Sequence, residues 1–118
     1  MDRVLIEGMI VKTIIGIYDW EREIKQPVRL DIEMAWDIST AGKSDNINDT
    51  LDYKSVAKRL ESFILSAEFG LIEALAEHCA NIVLHEFSVP WLRLKVSKPG
   101  AVSGSENVAV LIERGTLK

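Results

Sequence analysis

Cysteine is nearly absent from the sequence: Cys79 stands alone and cannot form an internal disulfide, so the fold uses no covalent staples and a reducing compartment, the cytoplasm, is expected. Long apolar runs are absent too. No window approaches the ~18 uncharged apolar residues of a membrane span, and the opening Met1-Asp2-Arg3-Val4-Leu5-Ile6-Glu7 places acid where a signal peptide needs an unbroken apolar stretch. Excess positive charge is missing: 14 Lys+Arg against 18 Asp+Glu give a net charge of −4, no footprint for a phosphate backbone or an anionic membrane. Neither nucleic acid nor membrane is therefore expected as a partner. There is no Gly-rich phosphate loop, no paired-cysteine motif and no Ser-His-Asp set that spacing singles out.

What is present is a soluble, folding composition. Hydrophobic residues make up 47% of the 118 residues and charged residues 27%, the proportions of one globular domain spanning 1–118. A domain this small buries only roughly two-thirds of its unfolded surface. A deep pocket would draw walls from a second copy, so a homo-oligomer is expected.

Hydrophobic periodicity divides the chain in three. Residues 3–15 are rich in β-branched and aliphatic side chains and stop at Gly16, predicting a long first strand. A charged loop over Tyr18–Glu23 follows. Val28, Leu30, Ile32, Met34 and Trp36 then alternate with polar residues, a half-buried strand pairing with the first. Residues 39–50 are a turn-rich connection, after which the period lengthens to that of a helix. Asp52 is placed to cap the first helix, with Leu51 and Val56 as its hydrophobic staple and Val56, Leu60, Phe63, Ile64 and Ala67 as its stripe. A second helix runs from Leu71 to about Phe87 on Leu71, Ile72, Leu75, Cys79, Ile82 and Val83. Strands over 91–98 and 108–115 complete a β-β-α-α-β-β order. The fold class is α+β: a four-stranded antiparallel sheet with two helices on one face.

Several polar side chains stand out against this frame. His78 and His85 lie near Cys79 on the second helix, but the helical wheel puts Cys79 on the apolar stripe and both histidines off it. A core thiol and two surface histidines result, and no metal site. Lys98 falls in phase with Leu92, Leu94 and Val96, at the end of the apolar face. Desolvation there would disfavour its charged form, as a general base requires; the alternative is a lysine that snorkels past the strand end. Tyr53, in the first turn of helix one, is either a packed core-edge residue or a proton donor. Glu73, in the first turn of helix two, suits the helix dipole and could equally accept two hydrogen bonds from a planar amidine-like edge. Glu21, in a loop of mixed charge, reads by composition as solvated.

Four segments carry a resemblance through the whole chain: Gly16-Ile17-Tyr18-Asp19-Trp20-Glu21 after the first strand, Leu51-Asp52-Tyr53 at the first helix, Leu71-Ile72-Glu73 at the second, and Lys98-Pro99-Gly100-Ala101 after the third strand. In this order, with Val108 to Gly115 as a closing strand, the sequence resembles the dihydroneopterin aldolase family of the folate pathway. The resemblance implies the tunnelling fold, in which four subunits join their sheets into a barrel and two rings stack into an octamer, with active sites between subunits. It implies a pterin substrate whose ring is anchored by Glu73 with the backbone at Ile72. It further implies Lys98 as catalytic acid and base, Tyr53 reaching in from the adjacent subunit, and Glu21 beside the reacting side chain.

The implied reaction breaks the bond between the first and second side-chain carbons of 7,8-dihydroneopterin, giving 6-hydroxymethyl-7,8-dihydropterin and glycolaldehyde. Most aldolases supply the electron sink with a Schiff-base lysine or a metal. Here the ring's own conjugated imine accepts the electrons as an enamine, so no cofactor is expected. An epimerase of the same fold, acting on dihydroneopterin or its triphosphate, is the alternative, because inversion at the second side-chain carbon can use the same retro-aldol step.

Overall fold

The structure is a computed structural model and describes residues 1–117. Four strands, β1 (Arg3–Thr13), β2 (Gln26–Ala35), β3 (Trp91–Pro99) and β4 (Asn107–Gly115), flank three helices, α1 (Ser39–Ser44), α2 (Tyr53–Ser66) and α3 (Ile72–Glu86). The sheet order follows the chain, β1-β2-β3-β4, and each neighbouring pair is antiparallel. The expected α+β class, with its antiparallel sheet and β-β-α-α-β-β succession, holds, α1 being an addition within the connection.

Alternation in the sequence decides which face is buried. Leu30 pairs with Val96, Ile32 with Leu94 and Met34 with Leu92, and all six side chains point into the core. Val56, Leu60 and Ile64 of α2 and Leu75, Ala76, Cys79, Ala80 and Val83 of α3 cover them. α2 lies over β1, and α3 over β3 and β4. Each fully buried Leu or Ile contributes roughly 1.5–3 kcal/mol relative to an exposed one. The cap and the staple form as expected: the Asp52 side chain accepts from the Ser55 N–H at 3.1 Å, and Leu51 and Val56 are both buried.

Three local features depart from the periodicity. β1 ends at Thr13 and not at Ile15, because the Thr13 hydroxyl turns into the helical layer. Its Oγ1 lies 2.7 Å from the Ile64 carbonyl and 3.0 Å from that of Ala67, binding the strand end to the last turn of α2. Within β1 a bulge between Ile6 and Met9 shifts the register; Gly8 takes φ +70° there and donates its N–H to Asp31 Oδ1 at 2.8 Å. The inward positions accordingly change from Val4 and Ile6 to Met9, Val11 and Thr13. Finally, the turn-rich connection contains α1 and a 3-10 turn over Ile47–Asp49. α1 stops after six residues at Asp45, whose φ of 56° is left-handed, a conformation that aspartate tolerates better than most residues.

Candidate active site

Two chain segments and the ends of two strands meet beside the sheet to form a cleft of about 260 Å³. One segment leaves β1 as Ile15-Gly16-Ile17-Tyr18 and winds into a 3-10 turn over Asp19–Glu23. The other joins α2 to α3 through Gly70 and Leu71 and opens α3 with Ile72 and Glu73. Lys98 reaches in from β3, and Val108 and Val110 of β4 supply an apolar wall. Of the five residues singled out in the sequence, Glu21, Ile72, Glu73 and Lys98 line this one cleft.

Glu21 overturns its reading as a solvated charge. The 3-10 turn rolls it inward, leaving it 4% exposed. Its Oε2 accepts from Lys98 Nζ at 2.5 Å and from Gln26 Nε2 at 3.1 Å, and its Oε1 from the Tyr18 N–H at 3.3 Å. The hydrogen bond from Lys98 holds the carboxyl below the ordinary glutamate range, assisted by Gln26 and the Tyr18 N–H and opposed by burial. Lys98 does not snorkel: its side chain is 14% exposed and its ammonium is paired inside the cleft. Phase along the strand marks the position of Lys98 but not its partner, which lies 77 residues away.

Gly16 makes room for this pair. Its φ of +127° is open to glycine, and a Cβ there would lie 2.2 Å from Glu21 Cδ. Gln26 bridges the same region by donating from Nε2 to the Ile15 carbonyl at 3.0 Å as well as to Glu21. Neither role was legible in the sequence, where Gly16 reads as a strand terminator and nothing singles out Gln26.

Glu73 sits exposed in the first turn of α3. Leu71 at the N-cap offers no side-chain acceptor, so the cleft is met by first-turn N–H groups that no cap covers. Glu73 makes no ion pair among the described residues. The cleft therefore presents a free carboxylate at one rim and an ammonium–carboxylate pair within. Such a set can grip a flat ring with two adjacent N–H donors and move a proton at an attached chain.

Tyr53 is not in this cleft. It is 55% exposed, which removes the packed core-edge alternative, and it lines a second concavity with Ala41, Asp45, Asn46, Ile47 and Thr50. Cys79 is fully buried, and burial pushes its thiol up to about 12. His85 is exposed. His78 is exposed too, its ring 4.8 Å from Phe69 and 6.2 Å from Phe63, with Nδ1 2.8 Å from the Ala74 carbonyl. Among the described residues no three His, Cys, Asp or Glu side chains converge, and no helix is long and apolar enough to cross a membrane.

The family model described as FolB, dihydroneopterin aldolase, matches residues 4–113. The chain belongs to the dihydroneopterin aldolase family. The dihydroneopterin aldolase of Escherichia coli strain K12 is 50% identical over 115 residues, covering 98% of this chain and 94% of that protein. The dihydroneopterin aldolase of Haemophilus influenzae strain Rd is 42% identical over 118 residues, the full length of both chains. The crystal structure of the Escherichia coli dihydroneopterin aldolase in complex with neopterin superimposes with a TM-score of 0.95 at 50% identity, covering 98% of this chain and 100% of that one. The chain topology of the tunnelling fold, an antiparallel four-stranded sheet with its helices between the second and third strands, is thereby the fold of this family member, and the four quoted segments all lie within the matched residues.

Proposed function

We propose that this chain cleaves 7,8-dihydroneopterin by a retro-aldol reaction to 6-hydroxymethyl-7,8-dihydropterin and glycolaldehyde, as a cytoplasmic enzyme of folate synthesis. One observation carries the reading: the Lys98–Glu21 pair and the Glu73 carboxylate line a single cleft. Glu73 accepts the 2-amino and N3 hydrogens of the pterin ring, and the backbone at Ile72 borders the same edge. With Glu21 holding its Nζ at the reacting atoms, Lys98 in its neutral form takes the hydroxyl proton of the side chain and, as the ammonium so formed, returns it to the enamine carbon.

The dihydropterin imine takes up the electron pair as the carbon–carbon bond opens, so the lysine acts through its proton and forms no Schiff base, and no metal is required. General acid–base transfer accounts for roughly 10²–10⁴ in rate; the remainder comes from holding ring and side chain in register. Re-addition of glycolaldehyde before release would invert the second side-chain carbon, giving an epimerase side activity.

Tyr53 enters the site of a neighbouring copy. Its exposure and its separation from the Lys98 cleft support this reading, as does the difficulty a small domain has in enclosing a ligand alone. The working unit is then a homo-oligomer, a tetrameric ring and from it an octamer. Incubation with 7,8-dihydroneopterin tests the function: stoichiometric glycolaldehyde is expected, whereas conversion to dihydromonapterin alone would replace the aldolase by an epimerase.

A further inference from the structure

Arg3, Arg29, Arg59, Arg93 and Arg114 each pair with a carboxylate. Arg22 makes no such pair among the described residues. Its guanidinium instead donates to three backbone carbonyls: Nη1 to Gly16 at 3.0 Å and Phe69 at 3.1 Å, and Nη2 to Glu68 at 2.6 Å. The Gly16 N–H closes the same seam by donating to the Phe69 carbonyl at 3.2 Å.

This seam joins the two segments that form the rims of the cleft. Gly16 belongs to the rim that leads into Glu21, and Glu68 and Phe69 immediately precede Gly70, Leu71, Ile72 and Glu73 of the other. The two segments share no strand ladder. A planar guanidinium with five donors in a fixed fork can hold carbonyls from both at once, and a charged donor makes each bond stronger than its neutral counterpart. A lysine has neither the span nor the rigidity.

We propose that Arg22 is a positioning residue that sets the separation between the ring-gripping carboxylate of Glu73 and the Lys98–Glu21 pair. It acts through the backbone and touches neither reacting group. The inference rests on reading the cleft as a pterin site. Loss of Arg22 frees the start of α3 to shift against the β1 exit, so ring recognition weakens first. The Lys98–Glu21 pair keeps its own hydrogen bonds, and a substrate molecule that does bind correctly still turns over.

The test uses the full chain with Arg22→Ala and Arg22→Lys, measured well below each variant's melting temperature. KM for 7,8-dihydroneopterin and the Kd of neopterin, followed by fluorescence, are expected to rise about tenfold in Arg22→Ala, with kcat within about threefold of wild type. Arg22→Lys falls between the two. A lowered Tm with KM and Kd unchanged would reduce Arg22 to a structural prop, and a loss confined to kcat would place it at the chemical step; either overturns the proposal. Should Arg22→Ala not fold, Arg22→Lys carries the test, and wild-type KM in that variant overturns it equally. Failure of the wild-type protein to bind neopterin would instead strike at the pterin reading itself.

Discussion

Lys98 Nζ lies 2.5 Å from Glu21 Oε2, joining the end of the third strand to a 3-10 turn near the start of the chain. The contact turns two charges of opposite sign into one unit that is nearly closed to water. It also keeps an ammonium within an otherwise apolar wall, where an unpaired charge would be costly. Everything proposed about proton transfer depends on that unit standing beside a bound ring.

Replacing Lys98 by alanine should separate chemistry from binding. Turnover is expected to fall by about 10²–10⁴-fold, the usual worth of a positioned acid or base, while the Kd of neopterin changes only a few-fold. Glycolaldehyde release and fluorescence titration on the same preparation check this. Undiminished turnover would reject Lys98 as the proton carrier.

Glu73→Ala should show the opposite emphasis. Truncation removes the charged acceptor of two ring N–H donors, a loss of about 1.5–3 kcal/mol. Neopterin affinity should drop before kcat at saturating substrate does. Calorimetry with neopterin measures the loss directly, and wild-type affinity in the variant would place the ring elsewhere.

Gly16→Ala probes the space around Glu21. The new methyl would overlap the carboxylate carbon, and the left-handed backbone adds strain of its own at about 1–3 kcal/mol. The carboxylate must move off Lys98, so kcat should fall at least about tenfold even in the folded fraction. A variant with full activity would show that the position of the pair tolerates displacement.

The Glu21 carboxyl lies below its ordinary value of 4.5, chiefly through its hydrogen bond from Lys98. A folded-state value below the unfolded one means that the pair's contribution to stability is complete above about 4.5 and fades as pH falls through the lower folded value. Glu21→Gln lacks this ionisation. The difference in Tm between wild type and Glu21→Gln should thus be largest near neutrality and shrink in acid; a gap independent of pH down to 3 would contradict the ion pair.

Shared sites make a subunit-mixing prediction. Lys98→Ala and Tyr53→Ala chains should each be weakly active alone. If they are dissociated together and reassembled at equal amounts, about a quarter of the sites in a symmetric ring receive an intact Lys98 and an intact Tyr53 from different copies. Activity recovering toward that fraction is expected, and no recovery in assembled particles would put both residues in one protomer's site.

The frame of the molecule is legible in the order of its residues. Period-two alternation in 28–36 and 91–98, the helical stripes of 52–67 and 71–87, and the Asp52 cap are local patterns. Burying one face of each element leaves essentially one way to stack them, and the α+β layer arrangement followed. Lys98 and Glu73 were legible for the same reason, since phase along a strand and position in a first turn are properties of adjacent residues.

The remaining features arise from contacts between segments far apart in the chain. The bulge at Gly8 shifts the phase of β1 because of an aspartate on the neighbouring strand, and β1 ends where Thr13 finds carbonyls of α2. Glu21 is a solvated loop charge by composition and a buried acceptor in the fold. Its donors are the Tyr18 N–H, Gln26 and Lys98, the last of them 77 residues away. Gly16 and Arg22 likewise take their meaning from atoms across the cleft, and no pattern of neighbours encodes a partner that only chain closure brings within hydrogen-bonding range.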